Sequence, residues 1–219
     1  MKKFSCLTFL SLPCLWLTLS VSNTHAADFA VADAQLKACL QDIAQSKQWP
    51  QPQDFLEIKC HSQGIQSLEG LEQFSQIETL SLHNNQLQQL DINFAKFKNL
   101  KQLNLAKNNL EQVTLKSLPS LEKVFLFANH IKKLQLIDMP QLQELKTNNN
   151  EIISFHYDNT PQLKKIYIFN NQLETINIHD LPALQYMDCR ENPMPDELYD
   201  EMDRMDGITF LHDGNAEDW

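Results

Sequence analysis

An asparagine returns down the chain at a fixed beat: Asn85, Asn108, Asn129, Asn150, Asn171 and Asn192, spaced by 23 residues once and by 21 four times. Each stands ninth in a phrase with apolar residues at positions 1, 4, 6 and 11; LKQLNLAKNNL, residues 100–110, is the clearest copy. A period of this length means that one supersecondary unit is stacked on copies of itself. A single unit cannot bury its apolar edge alone, so the units must share a continuous core, and a solenoid is predicted.

The copies in register are IETLSLHNNQL (77–87), LKQLNLAKNNL (100–110), LEKVFLFANHI (121–131), LQELKTNNNEI (142–152), LKKIYIFNNQL (163–173) and LQYMDCRENPM (184–194). A degenerate first copy, FLEIKCHSQGI (55–65), has Gln63 at the asparagine position. The heart of each phrase alternates, as a half-buried strand must. Leu103 and Leu105 are therefore expected to point inward, and Gln102, Asn104 and Ala106 outward. The ninth position falls where the chain turns away from the strand. Buried backbone groups there need partners, and an inward amide supplies both a donor and an acceptor. The six asparagines are thus read as a structural ladder.

The phrase resembles the LxxLxLxxNxL pattern of the leucine-rich-repeat family, and residues 64–87, GIQSLEGLEQFSQIETLSLHNNQL, are most similar to its internalin-like bacterial type. The resemblance covers seven copies over 55–194. It implies a right-handed superhelix, a mostly β solenoid of about seven 21–23-residue repeats with a helical cap at each end. It also implies a protein or peptide ligand, with a host-interaction or adhesin role among the possibilities.

On the return half of each repeat, Pro119, Pro140, Pro161 and Pro182 recur 21 residues apart. Between asparagine and proline lie the apolar pairs Val113/Leu115, Leu134/Leu136, Phe155/Tyr157 and Ile176/Ile178. Their alternation predicts a short convex strand in each repeat, closed by a proline that cannot donate to a ladder.

Residues 1–26 read as a Sec signal peptide. A basic Met1-Lys2-Lys3 start is followed by an apolar run over 4–21 and small residues up to Ala26. An uncleaved anchor is the rival reading; Pro13 before Cys14 fits a lipidation site poorly. Export to the periplasm or medium is expected, with no membrane insertion after cleavage, and the short start fits a Gram-negative bacterium. The formal net charge is −10, and nine acids against one Arg lie in 196–219, so nucleic acid and anionic lipid are disfavoured as partners. Of the three cysteines past the signal, Cys60 and Cys189 take the same inward position six repeats apart. At ~4.8 Å per strand that is about 29 Å, far beyond disulfide reach. Cys39–Cys60 is therefore the expected bridge, and Cys189 a core thiol.

The ends need caps. Residues 27–54 are assigned to an N-terminal cap, in which 33–48 read as a helix: Asp33 suits its N-cap and Leu36, Cys39, Leu40 and Ile43 make its stripe. Residues 195–219 are assigned to a C-terminal cap and acidic tail. There 195–205 read as a helix with a Leu198, Met202, Met205 stripe, ITFL (208–211) as a final strand, and the tail from His212 as frayed.

No catalytic constellation stands out: there is no CxxC, no HExxH and no glycine-rich phosphate loop. A non-enzymatic chain without cofactor is expected. His61 and His83 should be neighbours, but two imidazoles make a weak metal site, and no metal is assigned. The acidic C-terminal segment lacks the spacing of a calcium loop.

The outward columns carry the functional signal. They place Phe125, Phe127, Tyr167, Phe169 and Tyr186 on one face, with Lys123, Lys146, Lys165, Asn148 and Arg190 among them. Aromatics beside Lys and Arg have the composition of a binding hot spot. The expected partner is a protein or peptide, with an acidic or aromatic one favoured. A carbohydrate ligand, or self-association through the patch, are the alternatives, and the oligomeric state is left open.

Overall fold

The computed structural model describes residues 28–214. The signal-peptide reading of 1–26 and the tail residues 215–219 lie outside the described residues. The chain is a parallel β-solenoid of about seven turns. Each phrase contributes one three-residue strand: β1 (Glu57–Lys59), β2 (Thr79–Ser81), β3 (Gln102–Asn104), β5 (Lys123–Phe125), β7 (Glu144–Lys146), β9 (Lys165–Tyr167) and β10 (Tyr186–Asp188). With a last strand, β11 (Thr209–Leu211), they form one sheet in the order β1-β2-β3-β5-β7-β9-β10-β11. Every pairing between neighbours is parallel and in register, so equivalent residues of successive repeats stand in straight columns.

The inward row Ile58, Leu80, Leu103, Val124, Leu145, Ile166 and Met187 is completely buried. The second inward row runs Cys60, Leu82, Leu105, Leu126, Thr147, Ile168 and Cys189, also buried. Thr147 is the polar exception, and its hydroxyl finds no partner among the described residues.

Where each repeat leaves the strand, an asparagine side chain ties two coils together. Asn108 Nδ2 donates to the carbonyls of Leu82 at 3.1 Å and Leu105 at 2.9 Å, and its Oδ1 accepts from Leu87 N at 3.1 Å. Asn85, Asn129, Asn150, Asn171 and Asn192 repeat the pattern. Gln63 does not: its exposed side chain turns back to the His61 carbonyl, while its backbone N–H donates to Asn85 Oδ1. The residue before the ninth position is left-handed in all seven repeats, with or without a rung: Ser62, Asn84, Lys107, Ala128, Asn149, Asn170 and Glu191 have φ between 53° and 58°. Non-glycine residues occupy this region only when their surroundings hold them there. Each rung fixes the backbone on both sides of that turn.

Three convex strands, β4 (Gln112–Lys116), β6 (Lys133–Ile137) and β8 (Ser154–Asp158), form a second parallel sheet. The fourth expected strand is absent. Ile176 and Ile178 are buried, but Asn177 folds its segment into a local turn. Asn177 Oδ1 accepts from His179 N at 2.9 Å, its Nδ2 donates to Asp180 at 2.6 Å, and its carbonyl accepts from the Tyr157 hydroxyl. A side chain that satisfies local backbone groups competes with a ladder. Each proline sits second in a tight turn, closed for example by Leu121 N to Leu118 O at 3.2 Å.

The N-terminal cap is helix α1 (Ala34–Lys47), with Leu36, Leu40 and Ala44 buried. Asp33 starts it, accepting from Leu36 N at 2.9 Å, and also ties it to the first repeat through Gln66 N at 2.8 Å. A Cys39–Cys60 disulfide bolts the helix to the solenoid. Phe29 inserts beside Phe55 and Phe74 with ring centroids 5.3 and 5.1 Å away. Gly70 is required there: a Cβ would lie 2.0 Å from the Ala30 carbonyl, and φ is +91°.

The C-terminal cap is α2 (Asp196–Asp203) followed by β11. Its buried residues are Tyr199 and Met202. Leu198 and Met205, expected in the stripe, are only partly buried. Tyr199 takes the inward place because its hydroxyl reaches the Asn192 carbonyl at 3.1 Å and its ring stacks on His212 at 4.7 Å. For the same reason His212 is buried rather than frayed. No helix among the described residues is long and apolar enough to cross a membrane.

Candidate binding site on the concave sheet

The outward side chains of the eight-stranded sheet form the concave face. In its C-terminal half the first column runs Lys123, Glu144, Lys165, Tyr186, and the second Phe125, Lys146, Tyr167, Asp188. The third runs Phe127, Asn148, Phe169, Arg190, whose carbonyls accept from Lys107, Ala128, Asn149 and Asn170 of the preceding repeats. Three-residue strands joined by identical turns set these positions, so each side chain is placed by rigid backbone rather than by a loop.

Two clusters emerge. Lys146 Nζ lies 4.8 Å from the Tyr167 ring centroid, 5.6 Å from that of Phe125 and 3.1 Å from Glu144 Oε1. A cation between two ring faces is held by both. Tyr167 continues to Tyr186, centroids 5.2 Å apart. Burial, then the nearby Asp188 charge, raises the Tyr186 hydroxyl above its ordinary pKa. Beside this shelf, Asp188 accepts from Arg190 Nε at 2.9 Å and Nη2 at 2.8 Å. That hydrogen bond and the carboxylate charge keep the guanidinium fully protonated.

The five aromatics are half-buried rather than free, and Phe125, Tyr167 and Tyr186 lean on Lys146 or on one another. Phe127 and Phe169 make no ring contact with the other three among the described residues, and Asn148 stands between them in their column. Lys123 and Lys165 are exposed. The reading of the columns missed the part played by Glu144 and Asp188. A carboxylate two residues before a cation in one phrase, as in Asp188–Arg190 and Glu144–Lys146, was the available signal, since residues two apart in extended chain share a face. It also took outward for exposed. Ala106, Ser81 and Asp188 stand in outward columns yet are buried, since longer neighbours on the concave side close over short side chains.

In the N-terminal half His61 and His83 lie with ring centroids 5.2 Å apart, and His61 Nε2 is 2.7 Å from Ser81 Oγ. Burial, then the neighbouring His83 and Lys59 charges, lowers the His61 pKa. No group of three or more His, Cys, Asp or Glu among the described residues could hold a metal ion. Cys189 is buried with Sγ 3.8 Å from Met202 Sδ, and burial pushes its thiol up to about 12.

A family model described as leucine rich repeat matches residues 75–131. Over this stretch the chain is similar to leucine-rich-repeat proteins, and the coils on either side repeat the same phrase. Its fold resembles the leucine-rich repeat domain of APL1B, at 25% identity and a TM-score of 0.52 over 57% of this chain and 37% of that one. It also resembles internalin C2 of Listeria monocytogenes, at 17% identity and a TM-score of 0.50 over 82% of this chain and 93% of that one. A leucine-rich-repeat protein of Leptospira interrogans aligns at 21% identity, TM-score 0.48, over 64% of this chain and 44% of its own. The chain thus spans less than half the length of two of these three. No curated protein matches it. Solenoids of this kind offer extended concave surfaces to protein partners, and the fold suggests an interaction module.

Proposed function

We propose that the chain is an exported, non-enzymatic interaction module that takes a protein or peptide on its concave face. The residues that meet it are Lys123, Phe125, Phe127, Lys146, Asn148, Lys165, Tyr167, Phe169, Tyr186 and Arg190. The observation that carries this reading is the aromatic and cationic shelf on β5, β7, β9 and β10, on a sheet face that the core does not use. Because the shelf is built on an in-register sheet, binding requires little reordering. Aromatics with Lys and Arg supply large contact area and charge-assisted bonds. Export is supported by the signal-like residues 1–26 and by the Cys39–Cys60 disulfide, a bond that persists in oxidising compartments. A periplasmic or secreted location follows, and an envelope or host-directed role is compatible with it.

The test compares the chain from Ala27 onward with its Phe127→Ala/Phe169→Ala variant as bait for envelope and host-cell lysates. A partner held by the first and lost by the second, with unchanged thermal midpoints, is expected. Equal capture by both baits counts against the concave-face reading. The same pair on a glycan array, and light scattering of the purified chain, would reveal a sugar ligand or a second copy instead.

A further inference from the structure

The concave patch holds four cations, Lys123, Lys146, Lys165 and Arg190, and two carboxylates, Glu144 and Asp188. It is therefore net positive by two within a chain whose formal net charge is −10. Both carboxylates are already engaged inside the patch, Glu144 by Lys146 at 3.1 Å and Asp188 by Arg190 at 2.8 and 2.9 Å. Lys123 and Lys165 flank Glu144 in their column and make no ion pair among the described residues.

The Asp188–Arg190 pair is asymmetric. The Asp188 side chain is 4% exposed and that of Arg190 51%. A buried carboxylate left without its partner is strongly unfavourable, so Asp188 holds the guanidinium in one orientation. It uses the Nε–H and one Nη2–H. The end-on edge, with Nη1 and the second Nη2 proton, stays free, and a planar fork of this kind matches a carboxylate bidentately.

We propose that this face selects an acidic peptide segment. A carboxylate of the segment pairs with the free edge of Arg190, further acidic residues lie toward Lys165 and Lys123, and an apolar or aromatic side chain rests on Tyr167 and Phe169. Asp188 acts as a positioning residue, through Arg190. The inference rests on the concave-face reading and adds the chemistry of the ligand to it.

Fluorescence anisotropy with a labelled, soluble, glutamate-rich peptide carrying one tyrosine, beside its glutamine counterpart and a heparin fragment, reads the selection. The glutamate peptide is expected to bind roughly tenfold more tightly than the glutamine one and to weaken as salt is added. Arg190→Gln removes roughly a tenfold preference and leaves the glutamine peptide unaffected, while Arg190→Lys lies between. Asp188→Asn weakens the glutamate peptide in the same direction. It also abolishes the slowly exchanging Arg190 Nε–H resonance, a signature that a mere loss of stability does not produce. Equal affinity for the two peptides, an Arg190→Gln variant with unchanged preference, or binding of heparin alone overturns the proposal. Should glutamate confer no advantage while Phe127→Ala/Phe169→Ala still loses a captured partner, the acidic segment is wrong and the interaction module stands.

Discussion

The two halves of the concave sheet share a backbone and differ in everything that points away from it. Over β1–β3 the outward polar groups satisfy one another: His61 with Ser81, Glu57 with Lys59 and Lys47. Over β5–β10 the columns hold half-buried rings and cations with donors to spare. The difference teaches that register and chemistry are independent in this solenoid. The inward rows and the ladder determine where every side chain stands, and the outward letters then vary without cost to the core.

The halves can be separated first by breaking the scaffold under each. Asn129→Ala, under the C-terminal half, removes one of two amide donors from each of the Leu105 and Leu126 carbonyls and leaves the Leu110 N–H without its acceptor. It is expected to destabilise by roughly 3 kcal/mol in denaturant unfolding, since three buried hydrogen bonds are lost and the stranded N–H alone costs on the order of 1–3 kcal/mol. Gln63→Ala, at the equivalent place in the first repeat, removes no rung and should leave the midpoint unchanged. A loss as large as that at Asn129 would show that the first repeat is not the exception its geometry makes it.

Loss of the Cys39–Cys60 bond, by Cys39→Ala/Cys60→Ala, comes next. The bond closes a separation of 21 residues, for which about 3 kcal/mol is typical. Hydrogen exchange should show the loss concentrated in α1 and β1 and fading toward β10. An even loss along the solenoid would mean that the two halves unfold as one unit.

On the surface the expectation reverses. Phe127→Ala/Phe169→Ala should weaken partner binding by about 2 kcal/mol, near thirtyfold, with little change in stability. His61→Ala/His83→Ala should leave binding unaffected. Titration calorimetry with the captured partner checks both, and an effect at the histidines larger than that at the rings would move the site to the other half.

The smallest effect is at Cys189. With its pKa pushed up to about 12 by burial, the native thiol should stay inert to a disulfide reagent at neutral pH and react once the chain is unfolded. The folded pKa lies above the ordinary thiol value of 9.0, so the stability linked to this group is fully present below pH 9. It is lost as pH rises through about 12, because the unfolded chain releases the proton first.

Much of this was legible in one sequence because a repeat constrains itself. Counting from each asparagine placed Leu103 inward and Lys123, Glu144 and Lys165 in one outward column, since parallel in-register stacking preserves position from coil to coil. What the count could not supply was anything set by side-chain reach. Tyr199 displaced Leu198 as the buried face of α2 because its hydroxyl found the Asn192 carbonyl seven residues back, a contact no apolar stripe encodes. Asn177 cancelled a convex strand through its own turn. Asp188 vanished beneath its neighbours and locked Arg190. The left-handed residues before each rung were half visible: Asn84, Asn149 and Asn170 suit that conformation, whereas Lys107, Ala128 and Glu191 give no hint of it.

The sequence by itself determined the solenoid, its register and which residues share a column, because a periodic apolar pattern leaves one way to bury the edge of every repeat. Tertiary structure alone decided which outward residues are accessible and which cations are left unpaired. Those depend on how far each side chain extends over the concave face and on what it meets there, and no period in the chain encodes that.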